Sequence, residues 1–121
     1  MHDLKLISQK KLWAGLLAAL LVVAHVDAGL AQSKMYWTDP GYARIQRANL
    51  DGSVVEDIVI GLSFPYGIAL DLAAGKMYWT DVGTDKIQRA NLDGSSLEDL
   101  VTGLSAPYGI ALDLAAGKMY W

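Results

Sequence analysis

Cysteine is absent from this chain of 121 residues. That excludes a disulfide scaffold, a thiolate metal site and a cysteine nucleophile. Histidine is nearly absent: His2 and His25 are the two copies, and both stand near the N-terminus. Beyond residue 25 neither a Ser-His-Asp nor a Cys-His site can be assembled. Positive charge is in deficit. The net charge is −3, whereas a nucleic-acid backbone wants a basic face, so no nucleic-acid partner is expected. Long apolar runs are missing too. The uncharged stretch Leu12 to Ala24 has 13 residues, against roughly 20 for a bilayer-spanning helix. Outside it, the chain reads as short strands and not as helix. The whole chain is 53% hydrophobic, enough for one folded domain at most at this length.

The N-terminus is a separate object. Lys5, Lys10 and Lys11 precede the uncharged run, and Val26-Asp27-Ala28 and Gly29-Leu30-Ala31 follow it. A basic start, a short apolar run and alanine-ended sites predict a secretory signal helix over residues 1–31. Cleavage is expected after Ala31, with Ala28 the second choice. The exported product, periplasmic, extracellular or on the cell surface, would then have no membrane segment and no histidine.

The remainder is a repeat. Lys76-Met77-Tyr78-Trp79-Thr80-Asp81 copies Lys34 to Asp39, and Lys118-Met119-Tyr120-Trp121 opens a third copy. The period is 42 residues, and segments 34–75 and 76–117 differ at nine positions. The differing pairs are Pro40/Val82, Tyr42/Thr84, Ala43/Asp85, Arg44/Lys86, Val54/Ser96, Val55/Leu97, Ile58/Leu100, Ile60/Thr102 and Phe64/Ala106. One structural unit is written twice and begun a third time, from residue 118. The expected repeat domain covers residues 32–121.

Each unit reads as four short strands. Gly67 to Asp71 is apolar and is expected as strand a. Leu72 to Gly75 is a turn whose glycine tolerates positive φ. Lys76 to Thr80, strand b, carries Tyr78 and Trp79, which favour strands. Asp81 to Asp85 is a turn, and its counterpart holds the Pro40-Gly41 pair of a tight turn. Lys86 to Leu92 is strand c, Asp93-Gly94 is a strong hairpin signal, and Leu97 to Thr102 is strand d. Four-stranded antiparallel sheets at this period predict a β-propeller. In strand a, Gly109 and Ala111 alternate with Ile110 and Leu112, so one face admits a neighbouring backbone.

Several motifs in order resemble the YWTD, or class B, repeat of the low-density lipoprotein receptor family. They are Tyr78-Trp79-Thr80-Asp81, Lys86 to Ser95, Glu98 to Val101, Gly103-Leu104, Pro107 to Asp113 and Gly117 to Trp121. The resemblance spans residues 34–121. It implies an all-β, six-bladed propeller on exported or cell-surface proteins, with the motif on the second strand of each blade. It further implies a non-catalytic module that binds or organises other proteins, with no cofactor. Unlike the family's receptors, this chain has no cysteine-rich flanks. Its strands are expected to run b-c-d, a-b-c-d, a-b, about two blades of an incomplete propeller. That order reads as a fragment of a longer propeller, and its open strand edges invite further blades or self-association. A ring of three chains fits less well, because joining a-b to b-c-d leaves one strand b too many.

Tyr36, Trp37, Tyr78 and Trp79 are expected to pack between blades rather than stack on a ligand, since each aromatic buries on the order of 150–250 Å²; Tyr120 and Trp121 belong to the same structural motif. Asp39 and Asp81 are expected to accept backbone N–H bonds in the following turn rather than hold a metal. Arg47 and Arg89, beside Asn49 and Asn91, are expected in a half-buried polar ladder. The b–c and d–a connections share one propeller rim. Positions 40, 42, 43 and 64 differ there, while the turns Leu72 to Gly75 and Leu92 to Ser95 match their copies. Binding residues concentrate on loops held by a rigid scaffold. Tyr42, Phe64, Tyr66, Asp85 and Tyr108 are therefore the candidate partner-binding rim, with aromatics of the kind enriched at interface centres. Six-bladed propellers also include lactonase-like hydrolases. A catalytic site would need a cluster unique to one blade, whereas every acid of the motif is repeated. A purely architectural surface or adhesion repeat is the other alternative.

Overall fold

A computed structural model describes residues 33–121; the signal segment expected over residues 1–31, with both histidines, lies outside the described residues. Among the described residues nine strands follow in chain order. The first sheet holds β1 (Lys34–Asp39), β2 (Arg44–Asn49) and β3 (Glu56–Val59), with a single 3-10 turn, Pro40–Tyr42, between β1 and β2. The second holds β4 (Pro65–Asp71), β5 (Lys76–Asp81), β6 (Lys86–Asn91) and β7 (Glu98–Val101). The third holds β8 (Ala111–Asp113) and β9 (Lys118–Tyr120). Every pairing is antiparallel and joins sequence neighbours. The order is b-c-d, a-b-c-d, a-b: one whole propeller blade between two partial ones.

Strand ends differ slightly from expectation. Strand c stops at Asn91, because the Asn91 N–H and carbonyl already serve the turn, bonding the Ser95 carbonyl and the Gly94 N–H. Strand d begins at Glu98, after Ser96 has turned into the left-handed region at φ 57°. Strand a of the third sheet begins at Ala111 rather than Gly109.

The core lies between the first two sheets. Ile45 and Val59 of one meet Met77, Trp79 and Ala90 of the other, flanked by Tyr36, Ile58, Ile68, Leu70 and Leu92. Identical residues separate by position: Met77 is 0% exposed and its copy Met35 is 38% exposed. Only the second sheet is flanked on both sides among the described residues, so burial there follows from neighbours rather than from residue type. Strands a of adjacent blades come close enough to exclude a side chain. A Cβ on Gly67 would meet the Tyr108 carbonyl oxygen at 2.5 Å and the Ile110 nitrogen at 3.1 Å.

Candidate functional site

Three hydrogen-bond systems fix the blade and its rim. The first uses the motif threonine. Thr80 Oγ1 accepts from the Gly67 N–H at 2.9 Å and donates to the Tyr108 carbonyl at 2.8 Å, so one hydroxyl ties strand b to its own strand a and to the next blade. Thr38 donates likewise to the Tyr66 carbonyl. The second is a ladder across strands b, c and d. Trp79 Nε1 donates to Gln88 Oε1 at 3.2 Å, Gln88 Nε2 donates to Asp99 Oδ1 at 2.7 Å, and Lys86 Nζ donates to Asp99 Oδ2 at 2.8 Å. Trp37, Gln46, Asp57 and Arg44 repeat it in the first sheet. On the other face Arg89 pairs with Glu98 at 2.6 Å, beneath Tyr78. Arg47 pairs with Glu56 at 2.7 Å and also donates to the Leu92 carbonyl of the next blade at 3.1 Å. Hydrogen bonds from Arg47 and Arg89, reinforced by their charge, hold the Glu56 and Glu98 carboxyls below the usual range.

The third system builds the rim. Asp81 is 1% exposed and accepts four backbone N–H groups. Ser63 and Phe64 donate at 3.0 Å from the loop entering the blade, Gly83 at 3.1 Å and Thr84 at 3.2 Å from the b–c turn. A buried carboxylate is tolerable when so bonded. Gly83 is required where it stands, because a Cβ there would collide with Ser63. Asp39 has a smaller version of this role, accepting from the Tyr42 N–H at 3.3 Å and pairing with Arg44 at 3.1 Å.

On this scaffold the structure brings Phe64, Tyr66 and Tyr108 together. The Phe64 and Tyr66 rings stack with centroids 6.1 Å apart, and Tyr66 meets Tyr108 edge to face at 5.0 Å. All three are exposed. Tyr42 stands apart on the b–c turn, exposed, with the Arg44 guanidinium 4.8 Å from its ring centre. Asp85 is committed locally: it takes φ 55° and its carboxylate accepts from the Ala106 N–H at 3.0 Å. Two repeat differences, Ala43/Asp85 and Phe64/Ala106, thus belong to one contact, in which the acid reaches the loop that lacks the phenyl ring. Tyr120 and Trp121 are exposed. Among the described residues no three His, Cys, Asp or Glu side chains converge as metal ligands do. The Thr80 link between blades was not read from the sequence, although a threonine at the same place in both motifs is its signal.

The low-density lipoprotein receptor repeat class B pattern matches residues 33–72 and again 75–114. The chain belongs to the low-density lipoprotein receptor class B repeat family. Among solved structures, the class B repeats here are similar to a chain in the crystal structure of a nidogen/laminin complex, with a TM-score of 0.69 and 39% identity. That match covers 73% of this chain and 34% of the other, so this chain spans about a third of the length of its structural relative. No curated protein matches the chain.

Proposed function

We propose that this chain is an exported, non-catalytic module that binds protein through the b–c and d–a rim of its YWTD blades. The aromatic row of Phe64, Tyr66 and Tyr108 carries the reading. It is exposed, its Phe64 end is held by a loop anchored on Asp81 and its Tyr108 end by Thr80, and it lies on the rim where the two repeats differ. Aromatics so placed give a partner rigid contact area. The similar chain was crystallised in a complex of nidogen with laminin, which supports a protein as the partner class. The basic, apolar and alanine-ended leader supports export. Asp85 shapes the rim by holding Ala106, and Tyr42 extends it along the first blade. The free blade edges take further blades.

A photo-crosslinking side chain at Phe64, compared with one at Leu72 on the opposite rim, tests the binding rim. We expect a discrete protein adduct from position 64 in the exported fraction and none from position 72. Equal adducts from both positions, or none from position 64, would refute the assignment.

A further inference from the structure

Tyr66 and Tyr108 hold one place in the repeat, 42 residues apart, and their rings meet across the boundary between two blades. The ring centroids lie 5.0 Å apart and the rings stand edge to face, at 81°. The backbone brings them there. Gly67 follows Tyr66 in β4, and a Cβ on it would lie 2.5 Å from the Tyr108 carbonyl oxygen. Each tyrosine is also held through its carbonyl by a threonine of the preceding blade: Thr38 donates to Tyr66 and Thr80 to Tyr108. Both rings are open to solvent, Tyr66 at 46% and Tyr108 at 55%. Tyr66 keeps that exposure with Tyr108 packed against it, so the openness belongs to the position and not to a missing neighbour. Cysteine is absent, so no disulfide joins one blade to the next and no thiol is at hand to quench a tyrosyl radical.

We propose that Tyr66 and Tyr108 are a site of oxidative coupling, where a dityrosine link staples two neighbouring blades at the rim. The co-reactant is a one-electron oxidant of the peroxidase class with hydrogen peroxide. Each phenol gives up one electron and one proton and becomes a phenoxyl radical, whose unpaired electron is shared with the ring carbons ortho to the oxygen. The two radicals join through one ortho carbon each, and a carbon–carbon bond forms. Each of those carbons then loses its hydrogen as a proton, and each ring oxygen takes one back. The two electrons and two protons removed reduce one hydrogen peroxide to two waters. Rings joined in this way have centres slightly closer than those of the folded pair. Exposed side chains turn within nanoseconds, so a small rotation suffices. Holding the two rings together makes the coupling unimolecular, which favours it over encounters between separate chains. Tyr42 is more exposed, at 76%, but its ring lies against the Arg44 guanidinium. The link closes a loop in the chain, and it constrains the unfolded state as a disulfide does.

Treatment of the dilute, purified chain with peroxidase and hydrogen peroxide tests this. We expect dityrosine fluorescence in the monomer band and a mass lower by two hydrogens. Lys76, Lys86 and Arg89 stand between the two tyrosines, so after trypsin the link joins two peptides, and fragmentation assigns it to positions 66 and 108. Tyr108→Phe removes one hydroxyl from an exposed ring. It should abolish the link and leave the circular dichroism spectrum unchanged. Tyr42→Phe should leave the yield of the link unchanged. In urea the folded pairing is lost, and the link between 66 and 108 should fall to the level of other tyrosine pairs. The linked chain should melt several degrees above an equally treated Tyr108→Phe chain. A folded chain that yields no more of this link than the chain in urea would overturn the site. So would a Tyr42→Phe chain that loses the link as fully as Tyr108→Phe. A linked chain that melts no higher than the treated Tyr108→Phe chain would overturn the staple.

Discussion

The Thr80 hydroxyl donates to the Tyr108 carbonyl at 2.8 Å, and through that bond one blade holds the next. The same oxygen accepts from the Gly67 N–H, so removing it strands two backbone groups at the closest approach of strands a. Thr80→Val keeps the shape and deletes both bonds. We expect it to cost about 1–3 kcal/mol, the penalty for unsatisfied buried polar groups. Thr38 makes only the forward bond, to Tyr66, so Thr38→Val should cost about 0.5–1.5 kcal/mol. Urea midpoints of the two variants compare them directly. Equal losses would mean that the Gly67 bond contributes nothing.

Asp81→Ala should be more damaging than Asp39→Ala, although the two acids occupy one place in the repeat. Asp81 satisfies four backbone donors and is buried, whereas Asp39 satisfies one and shares Arg44. We expect a loss of at least about 3 kcal/mol at Asp81 and about 1 kcal/mol at Asp39, from the same penalty per orphaned group. Thermal melting with a fluorescence readout suffices. The reverse ranking would contradict the anchoring role.

Acid should weaken the fold through the cross-strand pairs. Glu56 and Glu98 are held below their ordinary value of 4.5 by hydrogen bonds from Arg47 and Arg89 and then by their charge. Asp99 lies below its ordinary 3.8 because Lys86 and Gln88 bond it. A carboxyl whose folded value is depressed stabilises the fold above its unfolded value, and that stability is lost as pH falls toward the folded value. Melting temperature should therefore be level from about pH 7 to 5 and drop below about pH 4.5. A chain carrying Glu56→Gln and Glu98→Gln should start lower at neutral pH and fall less on acidification. An unchanged acid slope would show that these pairs are not the cause.

The repeat made most of the fold legible. A 42-residue period, an Asp-Gly hairpin and a Pro-Gly turn suffice to mark four strands per unit, and each expected strand appears within two residues of its place. Burial was harder to read. Met35 and Met77 have the same sequence neighbours, and only the stacking of sheets makes one of them core. The threonine link was hidden for a related reason: Thr80 and Tyr108 are 28 residues apart and meet only when two blades pack. On the rim, the sequence named Tyr42, Phe64, Tyr66, Asp85 and Tyr108, but not which of them touch. Phe64, Tyr66 and Tyr108 meet, whereas Tyr42 stands apart and Asp85 is bonded to the neighbouring loop.

The central claim is that the repeated motif holds the blades together while the rim aromatics are free for a partner. Denaturant midpoints of two variants test it most directly. Trp79 is wholly buried, and Trp79→Ala should cost about 3–5 kcal/mol, as large-to-small core changes do. Phe64→Ala with Tyr66→Ala removes exposed rings, one of them at a position where the other repeat already has Ala106. That double change should cost no more than about 1.5 kcal/mol, the upper worth of an aromatic pair. A rim variant that unfolds as readily as Trp79→Ala would contradict the account, because its aromatics would then be scaffold and not binding surface.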